Sequence, residues 1–198
     1  MRVTEKPLPS YPWYLRPFFW KQRRKYGEVL KPGLVWGRVP KLFMAVAMLF
    51  GVLDRRTSPL GPVLRSLVTV RVSQINSCRF CVDANSAILA RRSGSMAKVE
   101  AVERWRDSSL FDEQERAVLE YAEAMTDSNQ QVHDDHIARL RPFFDDDGLV
   151  ELTGLIAFQN LSSKFNAALD VPAQGFCKVP PAEDGREGTS RRRTGRCP

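Results

Sequence analysis

The chain has 198 residues, 43% of them hydrophobic and 27% charged, and a formal net charge of +7. That is enough apolar material for one globular domain to bury a core without disulfide staples, and the four cysteines, at 78, 81, 177 and 197, are too few and too clustered for a secreted framework. The N-terminus has no charged-then-apolar-then-small leader pattern, so a reducing cytoplasm is the expected compartment; the longest apolar stretch, 42–53, is short of the ~20 residues of a membrane span and is expected to be a buried helix.

The first 56 residues carry 12 basic and 3 acidic side chains, whereas 57–177 carry 12 and 17. In the basic segment, cations alternate with aromatics from Trp13 to Tyr26. Such a stretch can suit a nucleic acid or a membrane surface. The expectation here is neither: the aromatics pack on the body or on a neighbouring subunit, and the cations face solvent or the acidic body.

Helical periodicity begins at about 18–26 and resumes at 41–54, with Pro32, Gly33 and Pro40 read as a loop between. From Pro62 to Ile75 the apolar positions fit a mostly buried helix. A helix over about 78–92 follows, broken near Gly94, and Ser95 starts a short one through Trp105. Asp112 followed by Glu113 and Glu115 reads as an N-cap with an acidic first turn for a helix over 112–126. Two more helices are expected over 133–143 and 146–169. Strand signals are nearly absent, so the fold class is all-α. The division is a basic, aromatic-rich N-terminal helical extension over 1–56, a helical domain over 57–179 and a disordered tail over 180–198.

The chemistry concentrates in Cys78-Arg79-Phe80-Cys81. Two thiols at i and i+3 at a helix start can close a disulfide, and unpaired backbone N–H groups and the positive end of the helix dipole favour thiolates there. Neither histidine nor any other cysteine makes a second pair at zinc spacing, so no metal and no cofactor are expected. His133 and His136 read as solvated residues at a helix start. Cys177 reads as a packing neighbour of Phe176 or as a third thiol. The polar turn Asn160 to Asn166 in the last helix either lines the thiols or faces outward.

Between about 62 and 172 the chain resembles the carboxymuconolactone decarboxylase and alkylhydroperoxidase D superfamily. The resemblance rests on Leu64-Arg65-Ser66-Leu67-Val68, on the segment Asn76 to Asn85 with its two cysteines, on Glu115-Arg116-Ala117-Val118-Leu119 and on Leu149-Val150-Glu151-Leu152. It implies an alkylhydroperoxidase D-like helical bundle, assembly into homo-oligomers and a dithiol that reduces hydroperoxides. It also implies that Cys81 is the peroxidatic thiol and Cys78 the resolving one. Spacing alone favours the reverse, because the first cysteine of such a pair is usually the more exposed and acidic. The alkylhydroperoxidase relay has a glutamate and a histidine where this chain has Ser66 and Asn85. Asn85, Ser66 and Asp83 are therefore the candidate supporting residues, with the helix N-terminus and Arg79 left to stabilise the thiolate.

The resulting expectation is a cytoplasmic thiol oxidoreductase with peroxiredoxin-like activity. Its partners would be a hydroperoxide substrate, a dithiol reductant and copies of itself, with no nucleic acid and no membrane. The alternatives are a protein disulfide reductase-like role, a non-catalytic helical oligomer and, against the dithiol, a carboxymuconolactone-type decarboxylase.

Overall fold

The computed structural model describes residues 1–177, so the tail expected over 180–198 and Cys197 lie outside the described residues. Among those residues every regular element is a helix: α1 Arg16–Tyr26, α2 Lys31–Gly37, α3 Pro40–Leu53, α4 Pro62–Ile75, α5 Arg79–Ser93, α6 Met96–Ala101, α7 Glu113–Ala124, α8 Asp134–Leu140 and α9 Asp146–Ala168. No described helix is long and apolar enough to cross a membrane.

The bundle is organised around α4, most of which is buried, with apolar side chains covered on opposite sides. One core joins it to α7 and α9 through Val68, Val72, Val118, Leu152 and Ile156. A second, on its other side, joins it to α5, α6 and the turn that follows through Leu67, Val70, Leu89 and Trp105. Local signals set the ends. Pro62 occupies the first turn of α4, where its missing N–H is not needed. Asp112 and Glu115 form a reciprocal capping box on α7. Asp145 accepts from Gly148 N to start α9, and Gly94, at φ 68°, ends α5 in the left-handed conformation.

Three segments depart from the sequence reading. Residues 31–37, expected as part of a loop, form α2, since a proline in the first turn starts a helix as readily as it punctuates a loop. The helix expected to continue to Trp105 stops at Ala101 and goes on as a 3-10 turn, Val102–Asp107, kinked at Arg104. The apolar helix α3 is not buried as expected: only Phe43 and Leu53 are, while Met44, Met48, Phe50 and Val52 face outward. A helix apolar on all faces needs cover on all of them, and the chain's own elements cover one.

The basic N-terminal segment divides between core and surface. Tyr11, Leu15, Phe19, Leu34, Trp36 and Phe43 form their own cluster, and Trp36 stacks on Phe165 of α9 with ring centroids 3.5 Å apart. Trp13 and Trp20 remain exposed.

Candidate functional site

α4 runs almost directly into α5, and this junction creates the site. Ser77 takes a left-handed φ of 51°, uncommon for a residue with a side chain, and Cys78 N donates to Ser73 O at 3.0 Å. Asn76 Nδ2 anchors the turn to α9 by donating to Asn160 Oδ1 at 2.9 Å and Ser163 Oγ at 2.8 Å. The reversal leaves Cys78 as the N-cap of α5 and Cys81 in its first turn, with Cα atoms 5.2 Å apart and the sulfurs joined in a disulfide.

Each sulfur receives one N–H. Cys78 Sγ accepts from Cys81 N at 3.2 Å, and Cys81 Sγ accepts from Asn166 Nδ2 at 3.4 Å. Asn166 is buried, and its Oδ1 has no hydrogen-bond partner among the described residues. The polar turn of α9 therefore divides, with Ser163 and Asn166 buried and Asn160 bonded to the Asn76 turn while Lys164 is exposed. The sequence identified those residues without fixing the side they face, because the phase of a 23-residue helix depends on what it packs against.

Both cysteines are buried, at 1% and 4% exposure, in an apolar cluster with Val35, Phe80, Ala87, Val171 and Phe176. The strap after α9, residues 171–177, closes over them. Asp83, one of the candidate supporting residues, is committed to that strap: its carboxylate accepts from Gln174 N, Gly175 N and Cys177 N at 2.7–2.9 Å. Cys177 packs against the cluster that contains the disulfide. Arg79, expected to help stabilise the thiolate, has its guanidinium paired with Asp170 at 2.6 Å. His133 is exposed and His136 half-buried, and the two cap one end of α8.

Ser66 and Asn85, on different helices, line one pocket with Thr69, Arg65, Arg92 and Gln159. Asn85 lies one helical turn beyond Cys81 on α5, where i and i+4 share a face. Its Nδ2 donates to Ser73 Oγ at 3.1 Å, which also receives Gln159 Nε2 at 2.9 Å. Ser66 Oγ donates to Pro62 O and accepts from Arg92 Nη1 at 3.1 Å. Among the described residues no group of three or more His, Cys, Asp or Glu side chains could hold a metal.

The family model for the carboxymuconolactone decarboxylase family matches residues 40–124. The uncharacterized protein YnjA of Escherichia coli K12 is 51% identical over 174 residues, covering 88% of this chain and 96% of that protein. The crystal structure of the debrominase Bmp8 superposes with a TM-score of 0.76 at 25% identity, over 87% of this chain and 91% of that one. An uncharacterized peroxidase-related protein from Ralstonia eutropha JMP134, described as an alkylhydroperoxidase AhpD core, shares the fold with a TM-score of 0.77 at 22% identity, over 84% and 88%. Helix order, the cysteine pair on α5 and these likenesses agree, and the chain belongs to the carboxymuconolactone decarboxylase and alkylhydroperoxidase D-like superfamily.

Proposed function

We propose that this protein is a thiol oxidoreductase that reduces hydroperoxides through Cys81 and Cys78. The observation that carries the reading is the sulfur pair at the start of α5, with an N–H donor directed at each sulfur. The Cys81 thiolate attacks one oxygen of the hydroperoxide; an S–O bond forms as the O–O bond breaks, and the leaving alkoxide takes a proton to become the alcohol. The Cys78 thiol then attacks the sulfenic sulfur, the disulfide forms and water leaves. A dithiol reductant restores the pair by exchange and is itself oxidised to a disulfide. The family resemblance supports Cys81 as the attacking thiol, and Asn166 gives its sulfur a donor while offering a buried Oδ1 to the sulfenic O–H. Ser66 and Asn85 shape the adjoining pocket, and Asp83 positions the strap.

The test is consumption of cumene hydroperoxide by the protein with a dithiol reductant, followed by mass mapping after thiol blocking. Turnover with Cys78 and Cys81 linked in one peptide is the expected result. Both cysteines found alkylated after peroxide treatment would remove the mechanism. Reduction of a disulfide substrate with the hydroperoxide left untouched would favour the disulfide reductase role of the same pair. The exposed apolar face of α3, with Met44, Met48, Phe50 and Val52, supports assembly with further copies of the chain. Sedimentation velocity on the same sample should give a species larger than one subunit, and a lone subunit would contradict assembly.

A further inference from the structure

The pocket beside the cysteine helix is built around a buried cation that the protein leaves incompletely satisfied. Arg65, on α4, is only 5% exposed. Its Nη1 donates to two carbonyls, Leu53 O at 3.2 Å and Arg55 O at 2.7 Å, and its Nη2 lies 3.9 Å from Asp54, while its Nε has no partner among the described residues. Asp54 is more tightly held by Arg92, at 2.8 Å, so two guanidinium groups share one carboxylate. The next carboxylate, Glu151, is taken by Arg55 and Ser58. Three guanidinium groups thus face two carboxylates, a surplus of one positive charge; Arg65 is buried and Glu151 nearly so, Arg92 is partly covered, and Arg55 and Asp54 reach the surface. Burial pulls the Arg65 guanidinium below its ordinary pKa, and Asp54 works against that shift. A buried charge whose nearest counter-charge is distant and shared is costly, and a bound anion would supply what is missing.

The rest of the pocket describes the other end of such a ligand. Its volume is about 50 Å³, above the ~10–15 Å³ that one water requires and of a size for a head group. Phe50, Leu155 and Phe158 form its apolar wall, and Phe50 is half exposed where the pocket meets the surface of α3. We propose that this pocket binds the carboxylate of an amphipathic substrate, an organic hydroperoxide bearing an acid group, with the carboxylate against Arg65 and Arg92 and the apolar body along Phe50 and Phe158. The inference rests on the hydroperoxide reading above and adds the substrate class.

Binding is read first, without turnover, by calorimetric titration of the full chain with hexanoate, acetate and hexan-1-ol. Hexanoate should bind at least about tenfold more tightly than either of the others, a difference of ~1.4 kcal/mol. Acetate binding as tightly as hexanoate means a site for any small anion, and hexan-1-ol doing so means an apolar slot; either result overturns the proposal. Arg65→Gln should weaken hexanoate binding about tenfold. If that variant does not fold, Asp54→Asn, at a half-exposed position, decides: removing the competing carboxylate should tighten hexanoate binding, and unchanged or weaker binding overturns the proposal. Hexanoate should also raise the KM for cumene hydroperoxide and leave kcat unchanged; binding without this competition overturns the substrate assignment. Tight hexanoate binding with no peroxide consumption would overturn the peroxidase reading and leave the anion pocket standing. Peroxide consumption without hexanoate binding would do the reverse.

Discussion

Replacing Cys81 with serine is expected to abolish dithiol-dependent hydroperoxide consumption, with kcat falling at least about a thousandfold, because the proposed nucleophile is removed outright. A serine hydroxyl keeps nearly the same volume but is not ionised near neutral pH and cannot form a sulfenic acid. The Cys78→Ser variant should behave differently. It should complete the first step and then stall, leaving a sulfenic acid on Cys81 that dimedone traps and mass mapping locates. This pair of variants also decides the order of the thiols, on which local geometry and family likeness disagree. Cys78 is the N-cap and accepts a backbone N–H at 3.2 Å, the arrangement that most favours a thiolate, whereas Cys81 accepts a side-chain amide at 3.4 Å. A dimedone adduct on Cys78 in the Cys81→Ser protein, with none on Cys81 in the Cys78→Ser protein, would exchange the two roles.

What sequence reasoning reached and what it missed divide along the range of the forces involved. The cap of α7 was legible because Asp112 and Glu115 signal through a bond within four residues. The contact between Cys78 and Cys81 was legible because three residues at a helix start leave the sulfurs little freedom. The inward position of Asn166 was not, since it depends on the packing of α9 against α5 across 85 residues of chain. Arg79 and Asp83 illustrate the same limit. Both stand beside the cysteines in sequence, yet Asp170 and the strap after α9, far along the chain, claim their side chains. Arg65 sat unremarked within the stretch that carries the family resemblance. A lone arginine among apolar residues is a weak signal, and only burial reveals that its Nε lacks a partner. The exposure of α3 was misread for a related reason: an apolar run states that a helix needs cover and does not state which molecule provides it.

The largest expected effect on stability lies away from the cysteines, at Glu123. This residue of α7 is 4% exposed and receives three donors: Trp105 Nε1 at 2.8 Å, Arg71 Nε at 2.6 Å and Arg106 Nη1 at 2.6 Å. Burial alone would raise its carboxyl pKa, but the bonds from Trp105, Arg106 and Arg71 outweigh it and hold the group below its ordinary value. A carboxylate whose folded pKa is depressed contributes stability above its unfolded pKa of ~4.3 and loses it as the pH falls through the folded value. Glu123→Gln should cost about 3 kcal/mol at pH 7, because Arg71 is left largely buried without a counter-charge while the more exposed Arg106 can turn to water. For a chain of this size that is roughly 6–12 °C in Tm. The deficit should shrink as the pH falls below the unfolded value and on through the lower folded one, where the wild-type carboxylate itself becomes protonated and the two proteins converge. Thermal unfolding of both proteins from pH 7 to pH 3 measures the effect. A constant gap across that range would mean that Glu123 contributes through shape and neutral hydrogen bonds, and that its charge contributes nothing to the fold.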